Sequence, residues 1–363
     1  MRVLVWQWGR RGAGPRFAVG LAAAFNRLPG VEGLLSLSRQ AEIVSAEPGL
    51  RNDLPVETYS GAAGYLRRLL TLPFEVGPLA RRLAALRPDL ALCAMPGPLD
   101  LLPAAALQRA GVPFAVVVHD ARVHPGDGLP FQMSLQRRLL RRADALVALS
   151  DHVAADVRAS GVCAPSKPVL RATLPPLTYG APPPPPGRHG PPMRLLSFGR
   201  LLPYKGLGML AEALELIGPA PDAIVRVVGF GPESDELDRL RTLPGVAVEN
   251  RWVPETEIPA LLAWADALVL SHTEASQSGV AAMGLAAGRW IVGTSVGGIA
   301  EQLARAASAR LCEPTATALA RALQDLIDDP PPPPEPTDPR LAWDACAADL
   351  LAQLRSALLV TAG

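Results

Sequence analysis

The densest chemistry in the sequence lies between Met193 and Gly206, MRLLSFGRLLPYKG. The apolar run Arg194–Phe198 predicts a strand closed by Gly199, and the loop that follows carries Arg200 and Lys205 and ends on Gly206. Glycine after a strand admits a ligand close to the backbone. Two cations five positions apart suit an anion such as a diphosphate. Of the 35 Lys and Arg residues only Lys167 and Lys205 are lysine, so where any surface cation would serve, this chain uses arginine. A compact ammonium on a flexible stem is a common point-charge partner for phosphate, which makes Lys205 a candidate functional residue. Three other places invite chemistry: the glycine turn Gly12-Ala13-Gly14, the pair His119-Asp120 after FAVVV together with Ser150 after ALVAL, and Glu274 in the loop SHTEASQSG. Each also has a plainer reading, as an ordinary βα turn, a satisfied core histidine or a neighbour of a helix cap. His272 and His124 read as structural or solvated.

These residues need elements to position them. Val3–Trp8, Asp89–Cys93, Phe114–Val118 and Ala145–Leu149 are strand-like, with helical patterns near 64–72, 77–86, 99–110 and 132–143. Pro15 stands near the start of a helix that follows the glycine turn. The alternation resumes with strands at Arg194–Phe198, Ala223–Val228, Val246–Glu249, Ala267–Leu270 and Trp290–Gly293, separated by helical segments at Gly208–Leu216, Glu233–Leu243, Glu257–Trp264 and up to Ala287. Such βαβ repetition predicts parallel sheets covered on both faces, with ligand groups at the carboxyl ends of the strands. Two proline-rich runs, Leu174–Pro192 and Pro330–Pro336, can be neither helix nor central strand. They divide the chain into a first domain (1–173), an extended linker (174–192), a second domain (193–329), a second linker (330–340) and a final helix (341–363) that packs back on the first domain. Gly12-x-Gly14 and Gly229-x-Gly231 begin a dinucleotide fingerprint, but its third glycine is replaced by Phe17 and Ser234. That argues against a nicotinamide or flavin cofactor.

The 363 residues, 49% apolar, suffice for two cores. A formal net charge of +1 gives no general attraction to nucleic acid, so an anion site must be local. Cys93, Cys163, Cys312 and Cys346 lack metal-ligand spacing and read as buried thiols in a reducing compartment. With no signal-like segment and no long apolar run, the expected location is the cytoplasm. The basic helix QRRLLRR, Gln136–Arg142, reads first as a solvated face, with contact to an anionic lipid-linked acceptor at the inner face of a membrane as the alternative. Arginine, alanine and proline richness with scarce lysine suggests a bacterial, GC-rich source.

Taken together, SFGRLLPYKG, VVGFGPES, ADALVLSHTEASQSGV, GLAAG and TSVGGIAEQL, in this order and spacing, resemble the carboxyl-terminal domain of family 4 glycosyltransferases. The glycine turn, VVVHDARVHP and ADALVALSDHVAADV resemble the acceptor-side domain of that family. The resemblance implies an α/β fold of two doubly wound Rossmann-like domains facing a cleft (GT-B), and transfer of a sugar from a nucleoside-diphosphate sugar with retention; because no Asp-x-Asp pair stands at a strand end, a divalent metal is not needed in this reading. It places Arg200, Lys205, Glu274 and His119 in catalytic positions. Gly12, Ala13, Gly14, Gly199, Ser278, Gly279 and Val280 stand beside donor sugar and phosphate. Trp252, Val253 and Trp290 are expected to shape the pocket, and Gly297-Gly298 reads equally as a tight turn or a phosphate contact. In this reading no cofactor is used; the partners are a UDP- or GDP-linked sugar and an acceptor that the sequence does not identify among glycan, lipid-linked or small-molecule classes. Nucleic acid is not expected, and oligomeric state is not legible. One departure stands out: Met283 occupies the place of the family's second glutamate, the ribose partner. That substitution keeps open a degenerate family member acting as a binding partner. Sugar-nucleotide epimerisation on the same fold is a further alternative, although no carboxylate pair for it is evident.

Overall fold

The structure is a computed structural model and describes residues 1–59, 61–120, 132–181, 183–187, 190–218, 222–336 and 338–359. The chain divides into two compact units, the first reaching to Thr173 and resuming at Arg340, the second running from Leu174 to Pro339.

In the first unit the order is β1 (Arg2–Gln7), α1 (Ala13–Arg27), β2 (Glu32–Leu37), α2 (Glu42–Ala46), α3 (Gly61–Leu86), β3 (Leu90–Cys93), α4 (Leu101–Ala110), β4 (Phe114–Val118), α5 (Gln132–Arg142), β5 (Ala145–Ala148), α6 (Asp151–Ala159) and β6 (Val169–Arg171). The strands form a parallel sheet in the order β2-β1-β3-β4-β5-β6. Helices cover both faces, so β3, β4 and β5 are buried at every position and read as unbroken apolar runs. The patterns at 64–72 and 77–86 belong to one helix, α3, in which partly buried Leu72 and Val76 keep in phase with buried Leu79 and Leu83.

The second unit repeats the design: β7 (Met193–Arg200), α7 (Leu207–Ile217), β8 (Ala223–Phe230), α8 (Asp235–Thr242), β9 (Val246–Asn250), α9 (Ile258–Trp264), β10 (Ala267–Leu270), α10 (Gly279–Ala286), β11 (Trp290–Thr294), α11 (Gly297–Leu303), β12 (Ala309–Cys312) and α12 (Ala316–Asp328). Its parallel sheet has the order β12-β11-β10-β7-β8-β9. Strand β7 continues two residues past Phe198, pairing Gly199 with Gly229 and Arg200 with Phe230. The Gly229-x-Gly231 pattern has a packing cause. A Cβ at Gly229 would lie 1.6 Å from the Gly199 carbonyl oxygen, and one at Gly231 would lie 1.9 Å from that of Leu201.

The proline-rich stretches lie on the second unit. Buried Asp266 accepts from the backbone N–H of Gly187 at 2.7 Å and of Arg194 at 2.9 Å. Buried Arg289 donates to the carbonyls of Ala265, Ala287 and Pro184, and burial draws its guanidinium down to about 10. Pro334 and Pro336 pass over Gly288.

Helix α13 (Pro339–Leu358) belongs to the first unit. Trp343 lies over Gly20 and 5.4 Å from the Phe17 ring, Arg27 pairs with Asp344 at 2.6 Å, and Gln353 bonds both backbone groups of Arg171. Burial of an indole outweighs a half-exposed ion pair. Trp343→Ala is therefore expected to cost about 3–5 kcal/mol and Arg27→Ala less than about 1 kcal/mol, compared by urea denaturation.

Candidate functional site

A doubly wound sheet opens a crevice where neighbouring strands send their chains in opposite directions. In the second sheet that point lies between β7 and β10, since β7 leads to β8 on one side while β10 leads to β11 on the other. The loops leaving β7 and β10 are fastened together there. A 3-10 turn, Pro203–Lys205, places Tyr204 indoors at 5% exposure. Thr273 N–H and Oγ1 donate to the Tyr204 carbonyl at 2.9 and 3.3 Å, and Ser271 Oγ donates to the Lys205 carbonyl at 2.8 Å. Gly206 makes the approach feasible, with φ +66° and space for a Cβ only 1.8 Å from the Ser271 oxygen.

On this base the two cations converge. Arg200 Nη2 donates to Tyr204 Oη at 2.8 Å, with its guanidinium carbon 5.7 Å from the ring centroid. Lys205 Nζ lies 5.1 Å from the same centroid and donates to His272 Nε2 at 2.8 Å. An ammonium offers no acceptor, so His272 receives at Nε2 and carries its proton on Nδ1. His272 is 3% exposed, and its carbonyl accepts from Thr294 Oγ1 at 2.6 Å. This constellation suits an anion: two fixed cations, one face open to solvent, and little side-chain freedom left to lose on binding.

Glu274 follows on the same loop and is exposed. Ser278 caps α10, accepting from Ala281 N–H at 3.2 Å, while Gln302 of α11 holds both its backbone groups. Gly279 and Val280 open α10, and Val280 stands beside Gly199. Met283 is buried in α10 at 7% exposure. Gly297 and Gly298 begin α11, and Gly298 N–H reaches Ala275 O at 2.9 Å. Trp252 and Val253 follow β9, an edge strand separated from β7 by β8; Trp252 is 37% exposed and Val253 buried. Trp290 begins β11 and so lies at the amino-terminal edge of the sheet, opposite the crevice, which corrects the expectation that it shapes the pocket.

The first sheet has its switch point between β1 and β3. Gly12, with φ +82°, precedes α1, Ala13 and Gly14 open it, and the Gln7 carboxamide at the end of β1 lies against Gly14. Gln7 is 4% exposed and its Oε1 has no hydrogen-bond partner among the described residues. His119, just past β4, donates from Nε2 to Ala94 O at 2.8 Å and meets the Phe17 ring edge-on at 5.6 Å. Desolvation pushes its imidazole below the ordinary value of 6.5, against the opposing effects of Ala94 and Asp120. Asp100 anchors the loop after β3 through Gly97 N–H at 2.6 Å and Trp6 Nε1 at 3.2 Å, and burial raises its carboxyl to about 7. Ser150 is the cap of α6, accepting from Val153 N–H, so its polarity at a strand end serves the helix. His124 and residues 121–125 of the VVVHDARVHP motif lie outside the described residues.

Tyr204, His272 and Gln7 escape a reading of the sequence alone. Tyr204 lies between two cations that are themselves visible, but nothing in one dimension says that its ring supports both. His272 directly follows a buried strand, which is the one available signal.

Comparisons with known proteins identify the family and the fold. Residues 11–173 match the family described as glycosyl transferase 4-like domain, and residues 192–329 match glycosyl transferases group 1. A 2-deoxystreptamine glucosyltransferase of Streptomyces kanamyceticus is 26% identical over 252 residues, 62% of this chain and 64% of its own length. A GDP-mannose-dependent alpha-(1-6)-phosphatidylinositol monomannoside mannosyltransferase of Mycolicibacterium smegmatis is 32% identical over 148 residues, 38% of this chain and 39% of its own length. The chain thus spans less than two thirds of the length of either curated relative. Anabaena HepE, solved in complex with UDP and glucose, superposes over 100% of both chains with TM-score 0.69 at 16% identity, a likeness of fold.

The His119 shift fixes a sign. With its folded pKa below 6.5, the unfolded chain takes the proton first as pH falls, so the stability tied to the neutral ring is present above 6.5 and is lost on acidification through that value. The His119 ring resonances are expected to titrate below 6.5 by NMR, and the wild type is expected to lose stability relative to His119→Asn as pH falls from 7.

Proposed function

From the premise that the chain belongs to the group 1 glycosyltransferases, with a 4-like first domain, we propose that it transfers a sugar from a nucleoside-diphosphate donor to a nucleophilic acceptor group. One observation carries the proposal: Arg200 and Lys205, fixed through Tyr204 and His272 at the switch point of the second sheet. Cleaving the bond between anomeric carbon and phosphate leaves charge on the diphosphate while the sugar becomes oxocarbenium-like. Preorganised cations aimed at that charge supply the largest single rate effect available to such a site. Lys205 meets the requirement because neutral His272 holds it without neutralising it. In this proposal the two cations do the electrostatic work that a metal does elsewhere, and the anomeric configuration is retained.

Within the proposal, Glu274 addresses sugar hydroxyls and the amino terminus of α10, with Ser278, Gly279 and Val280, lies beside sugar and phosphate. The first unit receives the acceptor, and His119 is the group in that unit assigned to its proton. A neutral His119 can receive or return a proton in a way that an imidazolium cannot. Met283 cannot hold ribose hydroxyls as a glutamate would, so that contact falls to backbone or water. UDP is the first nucleotide to try, since the fold neighbour HepE was solved with UDP and glucose.

The test is a thermal-shift titration with UDP, GDP, ADP and dTDP, followed by donor turnover. A nucleotide that binds only the folded chain stabilises it by about 2.7 kcal/mol at a hundred times its Kd. One nucleotide is expected to give such a shift, and Lys205→Ala is expected to abolish it while leaving the unliganded midpoint within experimental scatter. Turnover in that variant is expected to fall by about 10²–10³. No shift with any nucleotide at millimolar concentration overturns the proposal, and binding without turnover identifies a degenerate member.

A further inference from the structure

Among the described residues, helix α3 carries the largest group of exposed large apolar side chains. Four share this helix: Leu66 at 63% exposure, Leu69 at 37%, Leu70 at 77% and Phe74 at 80%. Their spacing, i, i+3, i+4 and i+8, puts them on one face. The adjoining face does the helix's ordinary work, burying Leu79, Ala80 and Leu83 in the core of the first unit, where α3 packs on α4. Single exposed apolar residues need no explanation, but a contiguous stripe marks a contact surface.

The charges around the stripe choose the partner. Arg67 and Arg81 flank it and are exposed, as is Arg82. Glu75, the one acid on the helix, is already paired with Arg68 and with Thr71 Oγ1. The same helical layer, on the far side of α4, presents Arg137, Arg138, Arg141 and Arg142 of α5, all exposed. With a whole-chain charge of only +1, this positive charge is a local feature. A second copy seated two-fold on the stripe would set arginines against arginines. A surface that offers apolar depth and phosphate together satisfies both parts of the face.

We propose that α3 is an interfacial membrane anchor that inserts Leu66, Leu69, Leu70 and Phe74 among the acyl chains of an anionic bilayer while its arginines, with those of α5, meet the phosphate headgroups. No helix among the described residues is long and apolar enough to cross a membrane, so the contact is peripheral and reversible. The sequence pointed to α5 for such contact; the structure gives the insertion to α3 and leaves α5 the electrostatic share. The inference goes beyond the sugar-transfer reading and does not depend on it, because binding to vesicles is measured without donor or acceptor.

The test is flotation of the full chain with vesicles of phosphatidylcholine alone and of phosphatidylcholine with phosphatidylglycerol, at low and high salt. Wild type is expected to float with the anionic vesicles, weakly or not at all with the zwitterionic ones, and less at high salt. The double variant Leu70→Glu, Phe74→Glu is expected to partition at least about tenfold less, with its thermal midpoint and nucleotide response unchanged because neither side chain is buried. Arg67→Gln with Arg81→Gln is expected to weaken binding to anionic vesicles alone. Absence of flotation, equal binding to both vesicle types, or undiminished binding of the Glu variant overturns the proposal. So does a concentration-dependent oligomer in light scattering that the Glu variant disperses, which would assign the stripe to self-association.

Discussion

The crossing of the chain at β7 is the constraint on which the second unit depends. A parallel strand at the switch point must pair on both sides, with β8 and β10, while its own loop leaves between the loops of its neighbours. Backbone atoms crowd there, and the crowding is relieved only where side chains are absent. Gly206 beside Ser271, and Gly229 and Gly231 beside β7 and the loop after it, are the places where the sheet closes tightly enough to hold cations at fixed positions. The candidate anion site rests on that closure: the stitched loops hold Tyr204, and Arg200 and Lys205 both meet its side chain.

Electrostatics inside the two units takes different forms for one reason, access to water. In the second unit the cations rest on buried supports, Tyr204 and His272, and keep one side exposed, so they hold charge at little desolvation cost. In the first unit His119 and Asp100 are enclosed, and burial moves both toward their neutral forms, down for the imidazole and up to about 7 for the carboxyl. Enclosure thus favours neutral groups in the first unit, and partial exposure leaves charged ones in the second.

The proline-rich stretches show how composition and structure diverge. Their sequence forbids helix and sheet, and on that ground they read as extended connectors. What composition cannot say is that Asp266 and Arg289, separated from them by many residues, take up their backbone N–H and carbonyl groups. A segment without internal hydrogen bonds is held by hydrogen bonds from outside. The same holds for α13, whose apolar residues announce a helix but whose place is set by Phe17 and Gly20.

The sequence by itself determined the class of fold, because alternating apolar runs and glycine or proline breaks are local signals that any neighbour must respect. It also determined the two cations, since a rare lysine after a strand is visible without coordinates. What depends on distance across the sheet was not legible in it: His272, read as structural or solvated, bonds Lys205, Ser150 caps α6, and Gly229 and Gly231, refused as a nucleotide fingerprint, are required by the close approach of the Gly199 and Leu201 carbonyls. The exposed stripe of α3 was hidden because an apolar residue on a helix is presumed to face the core until the core is seen to be full. Periodicity says which residues share a face. Only the packing of that face against the rest of the chain says whether it is buried, and therefore whether it is part of the fold or left over for a partner.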